Sequence, residues 1–308
     1  MKIIITGGAG FIGSHLAELL VNLGHSIIII DNLSTGYKEN LSQIIDDVFF
    51  VNEDIELCDL SSFSGVDVIV HLAAQTSVPL SVENFKESSS VNLLSNLNVI
   101  NYCSQNKIAF VYASSSAIYG NLELGDDNSK NIDLISPYSV DKYSMELYSE
   151  MAHKIYGLSS IGLRFFNVYG PRQDPTSPYS GVISIFIDKL ASDEKVLVNG
   201  GYQTRDFIFV TDVVKMIEKS INISSKNDVC EVVNVLTGVT YSINSLLEML
   251  ADLLIRKPVV IRRKLSAGDP KKSDGTLDKM RHIFKINQNS FIGFKDGLNK
   301  TIKFMCHE

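Results

Sequence analysis

Apolar and polar positions in the first half of the chain follow two alternating rhythms. Short β-branched runs predict strands over Lys2–Thr6, Ser26–Ile30, Val48–Val51, 66–72, 108–113 and Ser160–Phe165. Between the first two, the spacing of Ile12, Leu16, Leu19, Leu20 and Leu23 predicts a helix over 11–23. Longer periodic stretches predict helices over 84–106 and 139–156. The run 66–72 is apolar enough to be buried on both faces. Strand–helix alternation of this kind predicts right-handed crossovers and an α/β fold with a doubly wound parallel sheet. After about residue 166 the rhythm changes. Loops such as Gly170-Pro171-Arg172-Gln173-Asp174-Pro175 and Asn199-Gly200-Gly201 separate shorter elements, with helices near 180–191, 211–220 and 243–255. The expected division is a first domain over 1–165, with returning segments near 205–238, and a smaller α/β domain over 166–308.

Gly7, Gly10 and Gly13 lie between the first strand and the first helix as GxxGxxG. Such glycines permit a tight turn, close approach of a pyrophosphate to backbone amides, and packing of the helix on the sheet. Asp31 ends the second strand, where a carboxylate can accept both hydroxyls of an adenosine ribose. Its charge would repel a 2′-phosphate, so NAD is favoured over NADP. Asp54-Ile55, after the third strand, could meet an adenine amine and ring face, or form a plain turn.

Tyr138 and Lys142 form Tyr-x-x-x-Lys at the start of a predicted helix, on one face at i, i+4. A nearby ammonium and the positive nicotinamide of NAD would favour phenolate and make Tyr138 a base near neutral pH. Ser114, Ser115 and Ser116 close the fifth strand, at the carboxyl edge where open α/β sheets bind ligands.

The chain has 308 residues, 45% hydrophobic and 20% charged, with a formal net charge of −7. That balance argues against nucleic acid or an anionic membrane as a general ligand. No apolar run approaches the roughly 18 residues of a spanning helix, and the first residues do not read as a signal peptide. Cys58, Cys103, Cys230 and Cys306 have no CxxC spacing, and no HxH or HExxH pair occurs. A cytoplasmic protein without a metal site is expected.

Together, GGAGFIGSHL, Asp31-Asn32-Leu33-Ser34-Thr35-Gly36, His71-Leu72-Ala73-Ala74, SSSAIYG, SPYSVDKY and RFFNVYGPRQDP resemble the extended short-chain dehydrogenase/reductase family. Within it the chain is most similar to nucleotide-sugar 4-epimerases acting on UDP-glucose and UDP-N-acetylglucosamine, from Met1 to about Gly297. The resemblance implies a Rossmann domain and a nucleotide-sugar-binding domain, with NAD as cofactor. It implies NAD contacts at Gly7, Gly10, Phe11, Ile12, Gly13, Asp31, Asn32, Ser34, Thr35 and Gly36. Further contacts are implied at Asp54, Ile55, Leu72, Ala73, Ala74, Asn92, Ser114, Tyr138 and Lys142. Tyr138 would be the base, Lys142 would bond the nicotinamide ribose, and Ser116 would assist at the sugar 4-hydroxyl.

For the substrate, the resemblance implies that Asn167 and Arg205 meet the diphosphate, Val196 to Val198 line the uracil, and Asp269 meets the uridine ribose. Ser77, Val78, Ser115, Val182 and Ser273 would complete that site. Ser266 stands where the family often has an arginine, leaving that contact to Arg262, Arg263, Lys264 or Lys271. Small Ser273, with Ser77-Val78-Pro79 and the run Tyr179-Ser180-Gly181-Val182-Ile183, resembles the branch that accepts N-acetylhexosamines. Family members look like homodimers joined by a four-helix bundle. Here the helices would offer Val91, Leu94, Leu97 and Val99, and Met145, Leu147 and Met151. A 4,6-dehydratase, a UDP-hexuronate 4-epimerase or a non-catalytic dinucleotide sensor are the alternatives. Ala117 after Ser116 supplies no acid for dehydration.

Overall fold

The computed structural model describes residues 1–176, 180–265, 269–287 and 290–306. In chain order the first elements are β1 (Lys2–Thr6), α1 (Phe11–Asn22), β2 (Ser26–Ile30), β3 (Val48–Val51), β4 (Val68–His71), α2 (Val78–Glu83) and α3 (Phe85–Ser89). A π-helical turn over Ser90–Leu94 leads into α4 (Ser95–Asn106), β5 (Ala109–Ser115), α5 (Pro137–Tyr156) and β6 (Ser160–Phe165). Then come β7 (Asn167–Tyr169), α6 (Val182–Ala191), β8 (Val196–Asn199), β9 (Thr204–Phe209), α7 (Val210–Ser224) and β10 (Cys230–Val235). The last are β11 (Thr240–Ser242), α8 (Ile243–Leu254), β12 (Val260–Arg263), β13 (Lys272–Ser273), α9 (Asp278–Phe284) and α10 (Phe294–Met305).

The chain forms two compact units: Met1–Ser115, Ser136–Arg164 and Val213–Val233 in the first, and Ser116–Ile135, Phe165–Asp212 and Asn234–Glu308 in the second. The first is organised around a seven-stranded sheet of order β10-β6-β5-β4-β1-β2-β3. β1 pairs in parallel with both β2 and β4, β2 with β3, and β4 with β5. Ile3, Ile4, Ile5, Val68, Ile69 and Val70 are buried completely, as strands covered on both faces require.

The stretch 84–106 is not one helix. Asn84, at φ −140°, separates α2 from α3, and the π-turn interrupts the remainder. Val99 and Met145 belong to the core of this unit, whereas Val91, Leu94, Leu147 and Met151 are exposed. α5 is fixed to the sheet by a buried ion pair. Arg164 of β6 donates from Nε and Nη2 to Glu146 of α5 at 2.9 and 2.6 Å.

In the second unit β9 is central: β11 pairs with it antiparallel, β7 and β13 parallel. β8 and β12 form a separate parallel pair. Asp206 of β9 accepts from the amides of Thr237, Gly238 and Val239 and from the Thr237 hydroxyl, which fixes that loop. Segment 116–135 belongs here rather than with the preceding strands. The fully buried Asn234 side chain accepts from Tyr119 Oη at 2.7 Å and donates to the Gly125 and Thr276 carbonyls. The returning part of the first unit is correspondingly Val213–Val233, shorter than 205–238.

Thr6 and His71 end neighbouring strands. Thr6 Oγ1 accepts from the Leu72 and Ala73 amides, both at 3.2 Å, and lies 2.8 Å from His71 Nδ1. The hydroxyl proton is therefore left for Nδ1, which holds the ring neutral. Burial, and secondarily the Lys142 charge, push His71 down to about 3 from 6.5. Below pH 6.5 the unfolded chain takes up a proton that the folded chain refuses. Stability is therefore full above that pH and should fall as pH drops towards 3. The expected slope is about 1.4 kcal/mol per pH unit. Urea unfolding of wild type and His71→Asn across this range checks it: the variant should show a flatter acid dependence.

Candidate active site

The glycine turn between β1 and α1 is constrained by close approaches. Gly7 has φ +68°, and a Cβ on Gly13 would lie 2.2 Å from the Gly7 carbonyl oxygen. The Ser14 amide bonds the Gly10 carbonyl, so α1 begins inside the motif. Its first-turn amides form a cradle for an anion. Asp31 is buried, and its carboxylate accepts from the Ala9 amide at 2.9 Å and the Leu33 amide at 2.8 Å. It thereby ties the end of β2 to the glycine turn. The next loop returns to the same place, since Tyr37 N and Asn40 Nδ2 both donate to the Ala9 carbonyl. Asn32 Nδ2 donates to Asp54 Oδ2 at 2.9 Å, and the Ser34 amide donates to Asn32 Oδ1. Phe11, Ile12, Thr35 and Gly36 lie on the two segments joined by these contacts. The cradle and its carboxylate fit a dinucleotide.

Two expected cofactor contacts are differently engaged. The Ile55 side chain packs in the hydrophobic core of the first unit. The Ser114 hydroxyl donates to Glu146 Oε1, away from the side of β5 that carries Ala113 and Ser115.

After β4, residues 72–77 run as a strap held from the π-turn. Asn92 is buried there, accepts from the Gln75 amide at 2.8 Å and donates to the Gln75 carbonyl at 3.0 Å. Gln75 Nε2 donates to Ser88 Oγ and to the Ser77 carbonyl. Ser77 caps α2 by accepting from the Leu80 amide. Leu72, Ala73, Ala74 and Val78 are thus set by a side-chain clamp that includes Gln75, a residue the sequence did not single out. Its only signal is its place two residues before that cap.

α5 opens with a reciprocal cap. Ser136 Oγ accepts from the Ser139 amide, Ser139 Oγ accepts from the Ser136 amide, and Pro137 takes the first turn. This places Tyr138 in the first turn, where the positive end of the helix favours an anion. Its amide donates to Ser81 Oγ. Lys142, one turn on, donates to the Ala113 carbonyl at 2.8 Å, and its Nζ lies 5.7 Å from the Tyr138 ring centroid. Tyr138 and Lys142 are both buried.

The side chain hydrogen-bonded with Tyr138 is that of Ser115. Ser116, expected at the sugar 4-hydroxyl, opens the following 3-10 turn in the second unit. Burial pushes the Tyr138 phenol up, Ser115 pulls it down, and Asp141 raises it further. Burial also pushes the Lys142 ammonium down to about 8, against an upward pull from Asp141. The surroundings supplied by the chain favour a phenol; the phenolate expected at this position rests on Lys142 together with the positive nicotinamide of NAD.

The second unit gathers four of the expected substrate residues. Asn167 Nδ2 donates to the Asp206 carbonyl at 3.1 Å and to Ser273 Oγ at 3.4 Å. Ser273 is in register with Arg205, and the Arg205 guanidinium is paired with the Asp269 carboxylate. Arg205 is buried and directed away from Asp206, whose carboxylate serves the 237–239 loop. Val198 is an inward-facing residue of β8, and Val182 begins α6. Tyr179 and Ser266 lie outside the described residues. Among the described residues, no cluster of His, Cys, Asp and Glu could hold a metal ion, and no helix is long and apolar enough to cross a membrane.

Residues 3–235 match the NAD dependent epimerase/dehydratase family. A putative UDP-glucose 4-epimerase of Methanocaldococcus jannaschii is 40% identical over 310 residues, covering 98% of each chain. Among solved structures, UDP-N-acetylglucosamine 4-epimerase from Methanobrevibacter ruminantium, in complex with UDP-N-acetylmuramic acid, superposes with TM-score 0.90. It is 35% identical, over 99% of this chain and 98% of that one. UDP-glucose 4-epimerase from Thermotoga maritima, with UDP-glucose, gives TM-score 0.91 at 31% identity, over 100% of this chain and 99% of that one. The chain belongs to the NAD-dependent epimerase/dehydratase family, and its cofactor is NAD.

Proposed function

We propose that the chain is a UDP-sugar 4-epimerase that interconverts UDP-N-acetylglucosamine and UDP-N-acetylgalactosamine, and also UDP-glucose and UDP-galactose. The observation that carries this reading is the buried Tyr138, bonded with Ser115 and one helical turn from Lys142, in the unit that holds the NAD cradle. Bound NAD supplies an acceptor and donor for the hydrogen on C4 of the sugar. Tyr138 takes the proton from the 4-hydroxyl, with Ser115 orienting that oxygen, and gives it back once the 4-keto sugar has turned over. The proton and the C4 hydrogen both return, so the reaction has no net redox change. A non-catalytic sensor has no use for a buried Tyr138–Lys142 pair, and Ser116 and Ala117 give no carboxylate for dehydration.

Ser273 supports the choice of sugar. Its small side chain accepts from Asn167 and lies in register with Arg205, and a small residue there is what a C2 substituent on a nucleotide held by those residues would require. The similarity to a structure named UDP-N-acetylglucosamine 4-epimerase points the same way. The enzyme works as a homodimer. Val140, Leu147, Tyr148, Met151 and Ile155 of α5, with Leu94 beside α4, leave an exposed apolar surface on the helices that a four-helix bundle would use.

Three outcomes are expected. Tyr138→Phe should keep NAD bound yet lose at least about a hundredfold in turnover of either UDP-sugar, measured without added NAD by product separation. Turnover near wild type would remove Tyr138 as the base. Ser273→Tyr should lose tenfold or more on UDP-N-acetylglucosamine while sparing UDP-glucose, because overpacking costs about 1–3 kcal/mol. Equal retention of both activities would exclude Ser273 as the gate. Light scattering at micromolar concentration should give twice the chain mass, and Leu147→Glu should reduce it towards one.

A further inference from the structure

β13 carries Ser273 but is only two residues long. Its register on β9 sets Lys272 opposite Thr204 and Ser273 opposite Arg205, and the Lys271 carbonyl accepts from the Thr204 amide at 3.1 Å. Strands usually run about three to ten residues, so two pairs are a weak hold on a register. Beyond Ser273 the chain is held by a second bracket. The Gly125 amide donates to the Asp274 carbonyl and the Thr276 amide donates to the Gly125 carbonyl, both at 2.9 Å, which makes a parallel bridge between Gly125 and Gly275. The Asp127 carboxylate accepts from the Thr276 hydroxyl at 3.1 Å.

Asn234 closes this bracket. Its fully buried side chain donates from Nδ2 to the Gly125 carbonyl at 3.0 Å and to the Thr276 carbonyl at 3.3 Å, and Oδ1 accepts from Tyr119 Oη at 2.7 Å. Its backbone amide donates to Asp127 Oδ2 at 2.8 Å. One residue thus bonds both sides of the bridge and the carboxylate that holds Thr276. Packing alone does not explain an amide here. A leucine has similar volume and would be buried without desolvating polar groups. A buried network with its donors and acceptors satisfied instead specifies one arrangement of the segments it joins. The segment joined here includes Ser273, whose hydroxyl lies 3.4 Å from Asn167 Nδ2.

We propose that Asn234 is a positioning residue for the choice of sugar: it fixes the 272–276 segment, and through it the place of Ser273 beside Asn167 and Arg205. This rests on the reading of Ser273 as the residue that admits a C2 substituent. UDP-glucose, with only a hydroxyl at C2, depends less on that placement than UDP-N-acetylglucosamine.

The test compares full-length, NAD-containing wild type, Asn234→Leu and Thr276→Val. In Asn234→Leu, KM for UDP-N-acetylglucosamine should rise about five- to tenfold, with kcat/KM for UDP-glucose within about twofold of wild type. Thr276→Val removes one hydroxyl from the bracket and should move the ratio of the two kcat/KM values in the same direction by less. Loss of folded enzyme would instead lower kcat for both sugars together and leave both KM values unchanged. That outcome overturns the proposal. A second readout needs no turnover: hydrogen exchange of the 271–276 amides should quicken about tenfold in Asn234→Leu. Unchanged exchange overturns the proposal as well. Ser273→Tyr, assayed alongside, tests the gate itself. If it spares both activities, the reading of Ser273 fails, and exchange alone decides whether Asn234 fixes the segment. If it discriminates while Asn234→Leu leaves the ratio unmoved, the proposal is wrong. Should Asn234→Leu not fold, Thr276→Val carries both readouts.

Discussion

Strands that run parallel all end on one edge of their sheet, and this constraint assembles the cofactor site. β1 delivers the glycine turn there, β2 delivers Asp31, β4 the strap at 72–77, and β5 Ser115. Residues distant in sequence become direct partners at that edge. Asp31 accepts from Ala9, and Asn92 grips Gln75. The buried apolar residues of β1, β2 and β4 hold these ends in place.

α5 then carries the reactive pair to this edge as a rigid body. Its start is set by the Ser136–Ser139 cap, its middle by Glu146 on Arg164, and its end by Gly157 in the left-handed conformation. Tyr138 sits where two effects oppose. Helix-end polarity and the Ser115 hydrogen bond favour phenolate, while desolvation and Asp141 oppose it. Desolvation is the largest of these effects, so the chain by itself raises the phenol.

Much of this was legible in the sequence, and the exceptions have physical causes. β1, β2, β3 and β6 fall where short runs predict them, and in β1 and β2 the isoleucines are apolar on both faces because both faces are buried. The glycines and Asp31 were readable because a tight turn and a carboxylate at a strand end have few other uses. Ser115 could not be separated from Ser116 by composition. Three consecutive serines differ only in the parity of the strand, which the structure resolves by sending Ser114 to Glu146 and Ser115 to Tyr138. The allegiance of 116–135 depends on Asn234, more than a hundred residues later, and no local pattern carries that. The break in 84–106 has no glycine or proline to mark it in the sequence.

That break has a consequence for how the helix could have arisen. A π-turn is an α-helix holding one residue more than its ladder needs. Shortening Ser90–Leu94 by a single residue would therefore restore an ordinary helix and keep the chain continuous. It would also swing every preceding side chain by about 100° relative to α4. The interruption is thus a phase adjustment: the residues from Ser95 onward keep their packing against the first unit, while Asn92 is turned towards Gln75 independently.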